Sequence, residues 1–290
     1  MKKFTKLTAL VLALVFVMAA FAGCGNKDNG SDTVNKAKVE VIKINLTEEE
    51  YAFGVSKKDP ELLKTVNKLL AEMKEDGTID AIMQKYFGDA KKTPIVSAKE
   101  DSTKDQLIVA TEAGFPPFEY KQGEGFLGID MEIAKILAEK LGKELVIKNV
   151  SFDAVLTQVE SGYADIAMAG LTVNEKRMKQ VNFSDTYYEA SQNIIVKAGD
   201  TTFADCKTKE DVEKVLNSFD SKVKMGAQRG TTGQYYIEGD ESYGFAGLKA
   251  TFVGYDNGAL AVQDMLNGNL DYVVIDKVPA ASISKSVNGK

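Results

Sequence analysis

The stretch that decides the fold class runs from residue 107 to residue 169 and reads LIVATEAGFPPFEYKQGEGFLGIDMEIAKILAEKLGKELVIKNVSFDAVLTQVESGYADIAMA. It alternates short apolar runs with amphipathic segments, which are the patterns of buried strands and of helices. Strand, helix, strand, helix, strand at these lengths is typical of parallel strands joined by right-handed crossovers. The sequence therefore predicts strands at 107–111, 144–149 and 165–169 and helices at 129–141 and 152–161.

The same rhythm returns in the last third of the chain, after a connection at residues 187–197. Ligands of such open sheets bind beyond the carboxyl ends of the strands, where helix N-termini present free N–H groups. We therefore expect the functional residues in the loops that follow the strands. The second α/β unit is predicted to have strands at 223–228, 251–255 and 271–275 and helices at 231–237, 258–267 and 278–285.

Composition narrows the possible classes of function. The chain of 290 residues has a formal net charge of −6, and without a basic face it is not expected to bind nucleic acid. It contains no His and two Cys, which are poor means for a zinc site or a His-based catalytic triad, so we expect no metal and no cofactor. Among 36 basic residues only Arg177 and Arg229 are arginine, the residue whose planar fork suits carboxylates.

The N-terminus is typical of a secreted chain. Lys2 and Lys3 precede an apolar run that ends in Phe21-Ala22-Gly23-Cys24. Residues 1–23 are therefore predicted to be a signal peptide, and the run is too short for a confident membrane span. The end of the run resembles a bacterial lipobox, which predicts a lipidated Cys24 followed by a flexible tether to residue 37. An ordinary signal peptide that happens to precede a cysteine is the alternative.

Several segments of the chain stand out together, among them TEAGFPPFEY (111–120), GIDMEIAKILAEKLG (128–142), ADIAMAGLTVNEKRMKQVNFSDTYY (164–188) and GAQRGTTG (226–233). In sequence and in mutual spacing these segments resemble the amino-acid-specific branch of the type II solute-binding proteins of ABC importers. The resemblance implies an α/β fold of two lobes joined by two crossing strands, which close over a free amino acid. It also implies a monomer that delivers this ligand to an ABC transporter permease.

The order of the segments differs from that family. The part that resembles the family's C-terminal end, residues 51–88, here precedes the part that resembles its beginning. The chain is therefore interpreted as circularly permuted, which is tolerated where termini are close together at the surface. Lobe 1 is predicted to comprise residues 58–188, with 89–106 as the linker between the old termini, and lobe 2 to comprise residues 38–57 and 189–290.

The resemblance also implies how the two charged ends of an amino acid are held. The fork of Arg177 would bind the ligand α-carboxylate, and the amides of Thr172 and Thr232 would add charge-assisted bonds. Asp276, at a strand end, would bind the α-ammonium with help from the Gly170 carbonyl.

Other residues are expected around the ligand side chain. Phe115 and Phe152 would enclose its stem, Glu112 would meet its polar tip, and Gln228 would reach it from the second lobe. Ala169 belongs to the same loop as the residues for the charged ends. Glu112 favours a cationic tip such as that of arginine or lysine, but it would equally accept a hydrogen bond from a glutamine amide.

These residues favour binding without chemistry. The predicted function is capture of a polar, possibly cationic, L-amino acid for an ABC importer. The alternatives are a cyclohexadienyl-dehydratase-like enzyme, because some proteins that resemble this family are dehydratases of small carboxylic acids, and a sensory ligand-binding module. An enzyme needs a positioned acid or base, and Glu112 is the candidate that the sequence offers.

Lipidation is tested by Cys24→Ser. Because the thiol is the acceptor of the lipid, the variant should lose its anchor and be processed differently. Fractionation of the producing cells measures this, and an unchanged membrane-bound fraction would contradict the prediction.

Overall fold

The computed structural model describes residues 38–289. The predicted signal peptide, the lipidation of Cys24 and the tether lie outside the described residues. Within residues 38–289, no helix is long and apolar enough to cross a membrane.

The described part of the chain is a mixed α/β structure. In chain order the strands are β1 Val39–Ile42, β2 Glu49–Tyr51, β3 Gly54–Ser56, β4 Gln106–Thr111, β5 Gly114–Phe115, β6 Glu119–Gln122, β7 Gly125–Leu127, β8 Glu144–Asn149, β9 Ile166–Ala167, β10 Val181–Phe183, β11 Tyr188–Ala190, β12 Gln192–Lys197, β13 Lys224–Gln228, β14 Thr251–Tyr255 and β15 Tyr272–Asp276. The α-helices are α1 Pro60–Glu75, α2 Thr78–Phe87, α3 Ile129–Leu141, α4 Phe152–Glu160, α5 Glu175–Met178, α6 Lys209–Ser218, α7 Thr232–Glu238, α8 Gly258–Leu266 and α9 Lys277–Val287.

Two five-stranded sheets form the centres of two lobes. The first has the order β10-β3-β9-β4-β8, and β4 runs parallel to both β8 and β9. The second has the order β1-β12-β15-β13-β14, and β13 runs parallel to both β14 and β15. The two-lobed α/β fold expected from the sequence is confirmed, and in each lobe the predicted strand–helix rhythm supplies the parallel strands.

The chain passes between the lobes along a two-stranded ribbon. Strands β2 and β11 pair antiparallel, with Tyr51 opposite Tyr188 and Glu49 opposite Ala190. The ribbon is tied to the first lobe by the bond from the Ala52 N–H to the Leu171 carbonyl, at 3.1 Å. It is tied to the second lobe by the bond from the Leu46 N–H to the Gln192 carbonyl, at 2.9 Å. Each crossing is therefore a short extended segment, and backbone hydrogen bonds hold the ribbon to both lobes.

One predicted assignment is wrong. Residues 38–57 were predicted to belong to the second lobe, but β3 within them lies between β9 and β10 in the first sheet. The chain has already crossed when it reaches Gly54. A side chain at that position would meet Val181 and Leu156 at 3.1 and 3.2 Å, so the missing side chain allows the close approach. An apolar run in the sequence predicts that a strand is buried, but it does not predict which of two sheets the strand joins.

Helices α1 and α2 pack on the first lobe. Helix α1 begins after Asp59, whose side chain accepts a hydrogen bond from the Leu62 N–H at 2.9 Å, with proline at the first helical position. It contacts β3, and α2 contacts α3. Lys85 of α2 forms an ion pair with Glu132 of α3 at 2.6 Å. The apolar face of α1 is buried in the core of this lobe through Leu62, Val66, Leu69, Leu70 and Met73.

Residues 89–106 cross the surface of the same lobe. Ile95 exchanges two backbone hydrogen bonds with Phe126, both at 2.8 Å, and the Ala98 N–H donates to the Leu145 carbonyl at 2.8 Å. The side chain of Ile95 is 9% exposed. The segment therefore adds hydrogen bonds and one apolar side chain to the lobe that it covers.

The two ends of the described chain meet. Asn288, which ends α9, accepts hydrogen bonds on Oδ1 from the backbone N–H groups of Lys38 and Val39 at 2.7 and 3.2 Å. Its Nδ2 donates to the Val39 carbonyl at 3.0 Å. A single buried amide side chain thus joins the beginning of β1 to the end of the last helix.

Candidate functional site

The cleft between the lobes collects the loops at the carboxyl ends of the central strands. Arg177 and Asp276 enter it with opposite charges, from the first and the second lobe respectively. Eight of the ten residues named from the sequence line it: Phe115, Phe152, Gly170, Thr172, Arg177, Gln228, Thr232 and Asp276. Glu112 reaches its edge by bonding to Gln228, whereas Ala169 lies in the core beneath, 1% exposed.

Arg177 is fixed from both lobes. It lies on the short helix α5, whose first turn is capped by Asn174 through a 2.9 Å bond from the Arg177 N–H. Its Nη1 donates to the Thr172 carbonyl at 2.8 Å, and its Nη2 donates across the cleft to the Gly230 carbonyl at 3.0 Å. The guanidinium carbon lies 5.3 Å from the centroid of the Phe152 ring. The result is a buried cation with a restricted orientation, which suits a carboxylate.

Asp276 supplies the opposite charge. It ends β15, is 7% exposed, and accepts a hydrogen bond from the hydroxyl of Tyr51. Burial raises the pKa of this carboxyl above its ordinary value, and the negative charge of Glu49 raises the pKa further. Both effects are relieved by a cation beside the carboxylate, so Asp276 favours a cationic partner.

A buried carboxyl group holds the backbone conformation at Gly170. Its φ of +52° lies in the left-handed region, and a side chain there would come within 2.9 Å of Phe115. Its N–H donates to Oδ2 of Asp130 at 3.0 Å, while Oδ1 of Asp130 accepts from the hydroxyl of Tyr187 at 2.6 Å. Burial raises the pKa of Asp130 to about 7. Asp130 therefore holds the loop that carries Gly170 towards the cleft.

Glu112 and Gln228 meet from opposite lobes. Nε2 of Gln228 donates to Oε2 of Glu112 at 3.0 Å and also to the Asp256 carbonyl at 2.9 Å. Burial raises the pKa of Glu112. Arg229, the next residue, instead forms an ion pair with Asp256 and has a side chain that is 53% exposed. Of the two arginines of the chain, Arg177 therefore lies in the cleft and Arg229 forms an ion pair at the surface.

A further cross-lobe contact lies beside Arg177. Lys176 forms an ion pair with Asp240 at 3.1 Å and lies 4.5 Å from the centroid of the Tyr235 ring. Since Lys176 is on the first lobe and both partners are on the second, this contact forms when the lobes are closed. The lobes therefore touch beside Arg177 in this structure.

Three residues that shape the cleft were missed by the sequence analysis. Tyr51 and Asp130 were read only as parts of a strand and a helix pattern. Glu49 stands in a run of three glutamates, which has the appearance of a solvated face. Alternation along β2 is the signal that could have found it, because Glu49 and buried Tyr51 lie two residues apart and so on one side of the strand.

The sequence matches the model of a known family over most of its length. The family is described as bacterial extracellular solute-binding proteins, family 3, and the match covers residues 11–89 and 107–273. The chain belongs to this family.

Individual proteins are similar to parts of this solute-binding protein. The arginine-binding extracellular protein ArtP of Bacillus subtilis (strain 168) is 41% identical over 97 residues, which cover 33% of this chain and 38% of that protein. An ancestral arginine-binding protein solved with arginine bound has 34% identity and a TM-score of 0.53, covering 63% of this chain and 75% of that one. The ancestral amino acid-binding protein AncCDT-1, a precursor of cyclohexadienyl dehydratase, has 30% identity and a TM-score of 0.53, covering 72% and 78%.

Asp130 predicts a pH dependence of folding. Its pKa is raised to about 7 in the folded state, so its contribution to the free energy of unfolding is full below the unfolded pKa and is lost as the pH rises through about 7. Between pH 5 and pH 8 the protein should lose about 2–3 kcal/mol more stability than Asp130→Asn, as measured by urea unfolding. Asp80→Asn, which removes an exposed carboxylate on α2, should retain the pH dependence of the unmodified protein. Equal pH dependence in the protein and in Asp130→Asn would show that Asp130 does not hold this proton.

Proposed function

We propose that this protein captures a free polar L-amino acid outside the cytoplasm and delivers it to an ABC importer. The observation that carries the proposal is that a buried cation, Arg177, and a buried carboxylate, Asp276, line one cleft between two lobes. An α-amino acid carries one charge of each sign on neighbouring groups. Such a zwitterion can satisfy both residues at once.

Each charged end has its own set of groups. Arg177 binds the α-carboxylate in place of one of its present carbonyl partners, and the backbone N–H groups of Thr172 and Thr232 add donors. Thr232 begins α7, where N–H groups are unpaired and favour negative charge. Asp276 and the Gly170 carbonyl accept from the α-ammonium.

The ligand side chain extends between the aromatic rings of Phe115 and Phe152, towards Glu112 and Gln228. In the closed cleft Gln228 already donates a hydrogen bond to the Glu112 carboxylate. A donor on the ligand side chain takes the place of Gln228 as the partner of Glu112. A guanidinium or an amide meets that requirement, and a guanidinium also relieves the cost of burying the Glu112 charge. The names of the arginine-binding relatives support arginine as the first ligand to test.

An enzymatic reading is the second candidate. It rests on the similarity to AncCDT-1 and on Glu112, whose pKa is raised by burial as a general acid requires. Incubation of the protein with a hydroxycyclohexadienyl carboxylic acid distinguishes the two readings. An enzyme breaks the bonds from the ring to the hydroxyl and to the carboxylate and releases water, carbon dioxide and an aromatic product, whereas a binding protein returns the compound unchanged.

The same proposal includes the location and the partners of the protein. Cys24, after the signal peptide at 1–23, anchors it to the outer face of the cell membrane, where it acts as a monomer with a permease. This placement is supported by the lipobox-like sequence and by the extracellular family, and stays a prediction.

Arg177→Ala tests the ligand site. Because the variant leaves the buried α-carboxylate of the ligand without a charged partner, the affinity should fall at least about a hundredfold. Calorimetry against the twenty common L-amino acids measures this, with Arg229→Ala as the matched control because it removes an exposed arginine. An Arg177→Ala protein that stays within about threefold of the unmodified affinity would place the carboxylate elsewhere. Failure of the unmodified protein to bind any of the twenty would overturn the proposed function.

We also propose that the chain is a circular permutation of its family's order. Three observations support this. The family match is interrupted at residues 90–106, the segment that crosses the first lobe as a linker. Asn288 joins the end of the described chain to Lys38. Strand β3 and helices α1 and α2 complete the first lobe although they precede its other elements in the chain.

The permutation can be reversed. Joining residue 290 to residue 38 through a short linker and opening the chain between Lys91 and Lys92 restores the family order and leaves the hydrogen bonds of Ile95 and Ala98 intact. This protein should fold and bind the same amino acid within about threefold, since termini at an exposed site are tolerated. Circular dichroism and calorimetry measure both properties. The same joined chain opened between Ile108 and Val109 of β4 should not fold, and an unfolded Lys91/Lys92 protein would contradict the permuted order.

A further inference from the structure

Glu49 lies at the junction of the two lobes and accepts four hydrogen bonds. Its Oε2 accepts from the hydroxyls of Thr172 and Thr232, at 2.6 and 2.8 Å. Its Oε1 accepts from the hydroxyl of Thr47 at 2.6 Å and from Nε2 of Gln192 at 3.0 Å. Thr172 belongs to the first lobe, whereas Thr232 and Gln192 belong to the second. One carboxylate on the crossing strand β2 thus holds a threonine from each side of the cleft.

These bonds fix the direction of two hydroxyl protons. A threonine hydroxyl has one proton to donate and two lone pairs that accept. An ionised carboxylate can only accept, so Thr172 uses its single proton on Glu49. Thr232 has two acceptors in reach, and Glu49 at 2.8 Å is closer than the Thr172 hydroxyl at 3.4 Å, so its proton also goes to Glu49. The two hydroxyl oxygens lie 3.4 Å apart and both line the cleft. The two hydroxyl oxygens therefore present only lone pairs to a ligand and act as hydrogen-bond acceptors.

The neighbouring groups on this side of the cleft are also acceptors. Asp276 is a carboxylate, the Gly170 carbonyl accepts, and the charge of Glu49 raises the pKa of Asp276. An ammonium group carries three donors and no acceptor, which matches a surface made of acceptors. In the same place a neutral hydroxyl offers one donor and a methylene offers none, so acceptors are left unpaired, at a cost.

We propose that Glu49 is a positioning residue that makes the cleft selective for a free α-ammonium group, by turning the hydroxyls of Thr172 and Thr232 into acceptors. The inference rests on the proposed function and adds to it the group that the site requires. Glu49 acts through the two threonines and does not itself need to touch the ligand.

Glu49→Gln is the direct test, because it keeps the length of the side chain and introduces an amide that donates. The amide can offer its proton to a threonine hydroxyl, whose own proton then turns towards the ligand and opposes an ammonium. Glu48→Gln is the matched control, since it removes the same charge from the adjacent exposed position. Calorimetry is carried out with L-arginine and L-glutamine and with their analogues that lack the α-amino group, 5-guanidinopentanoate and glutaramate.

Glu49→Gln should weaken whichever amino acid binds by about tenfold or more, the loss expected for hydrogen bonds to a charged group. The analogue without the amino group should keep its affinity within about threefold, so the preference for the amino acid shrinks. Thr172→Val should show the same selective loss. The double variant should lose less than the sum of the two single losses, because part of the effect of Glu49 passes through the Thr172 hydroxyl that Thr172→Val removes. Glu48→Gln should change neither affinity by more than about twofold.

Equal weakening of the amino acid and its analogue in Glu49→Gln would overturn the inference, since it would show a structural effect without selectivity. If Glu49→Gln does not fold, as judged by thermal unfolding, Thr172→Val decides the question by the same comparison. An unmodified protein that binds neither amino acid while binding another of the twenty redirects the same comparison to that amino acid and its own des-amino analogue. An unmodified protein that binds none of the twenty would overturn the proposed function and this inference together.

Discussion

The pairing of Glu49–Tyr51 with Tyr188–Ala190 is the contact on which the remaining structure depends. Both passages of the chain between the lobes use it, so the two sheets are placed relative to each other by one short ribbon. The same ribbon carries functional groups, because Tyr51 bonds to Asp276 and Glu49 bonds to threonines of both lobes. The ribbon therefore sets both the spacing of the lobes and the hydrogen bonding of the cleft.

Charge burial is the main electrostatic feature of the site. Asp276 and Asp130 are buried with raised pKa values, and Glu119 beneath them is fully buried with both carboxylate oxygens unpaired within residues 38–289. Burial raises the pKa of Glu119 well above its ordinary value, and the charge of Asp130 adds to this. Arg177 is the cation among the described residues that line the cleft. The interior behind the site is thus rich in acids, and a ligand that brings a positive charge lowers its energy.

Much of the fold follows from local patterns. The alternation of strands and helices at 107–169 and 223–285 depends on side chains that repeat along one element, and these elements form where they were expected. The loops that line the cleft could also be predicted from the sequence, because loops after parallel strands converge at one edge of a sheet whatever the details of packing. That argument led to the loops that contain Arg177, Asp276 and Gln228, and the family resemblance pointed to the residues within them. Ala169 is in the same loop but faces the core, since the direction of one side chain depends on the turn at Gly170.

The positions of strand β3 and Glu49 could not be predicted from local sequence patterns. Residues 38–57 were expected in the second lobe, but β3 within them pairs with β10 and packs against Val181 and Leu156 in the first. Glu49 has the sequence context of a solvated charge, and it becomes part of the site because Thr172 and Thr232, which are 123 and 183 residues away in the chain, close around it. The sequence by itself determined the secondary structure, the class of fold and the loops that bear the site, because these depend on neighbours along the chain. Only the tertiary structure decided the lobe of β3, the direction of Ala169 and the partners of Glu49, because these depend on contacts between residues far apart in sequence.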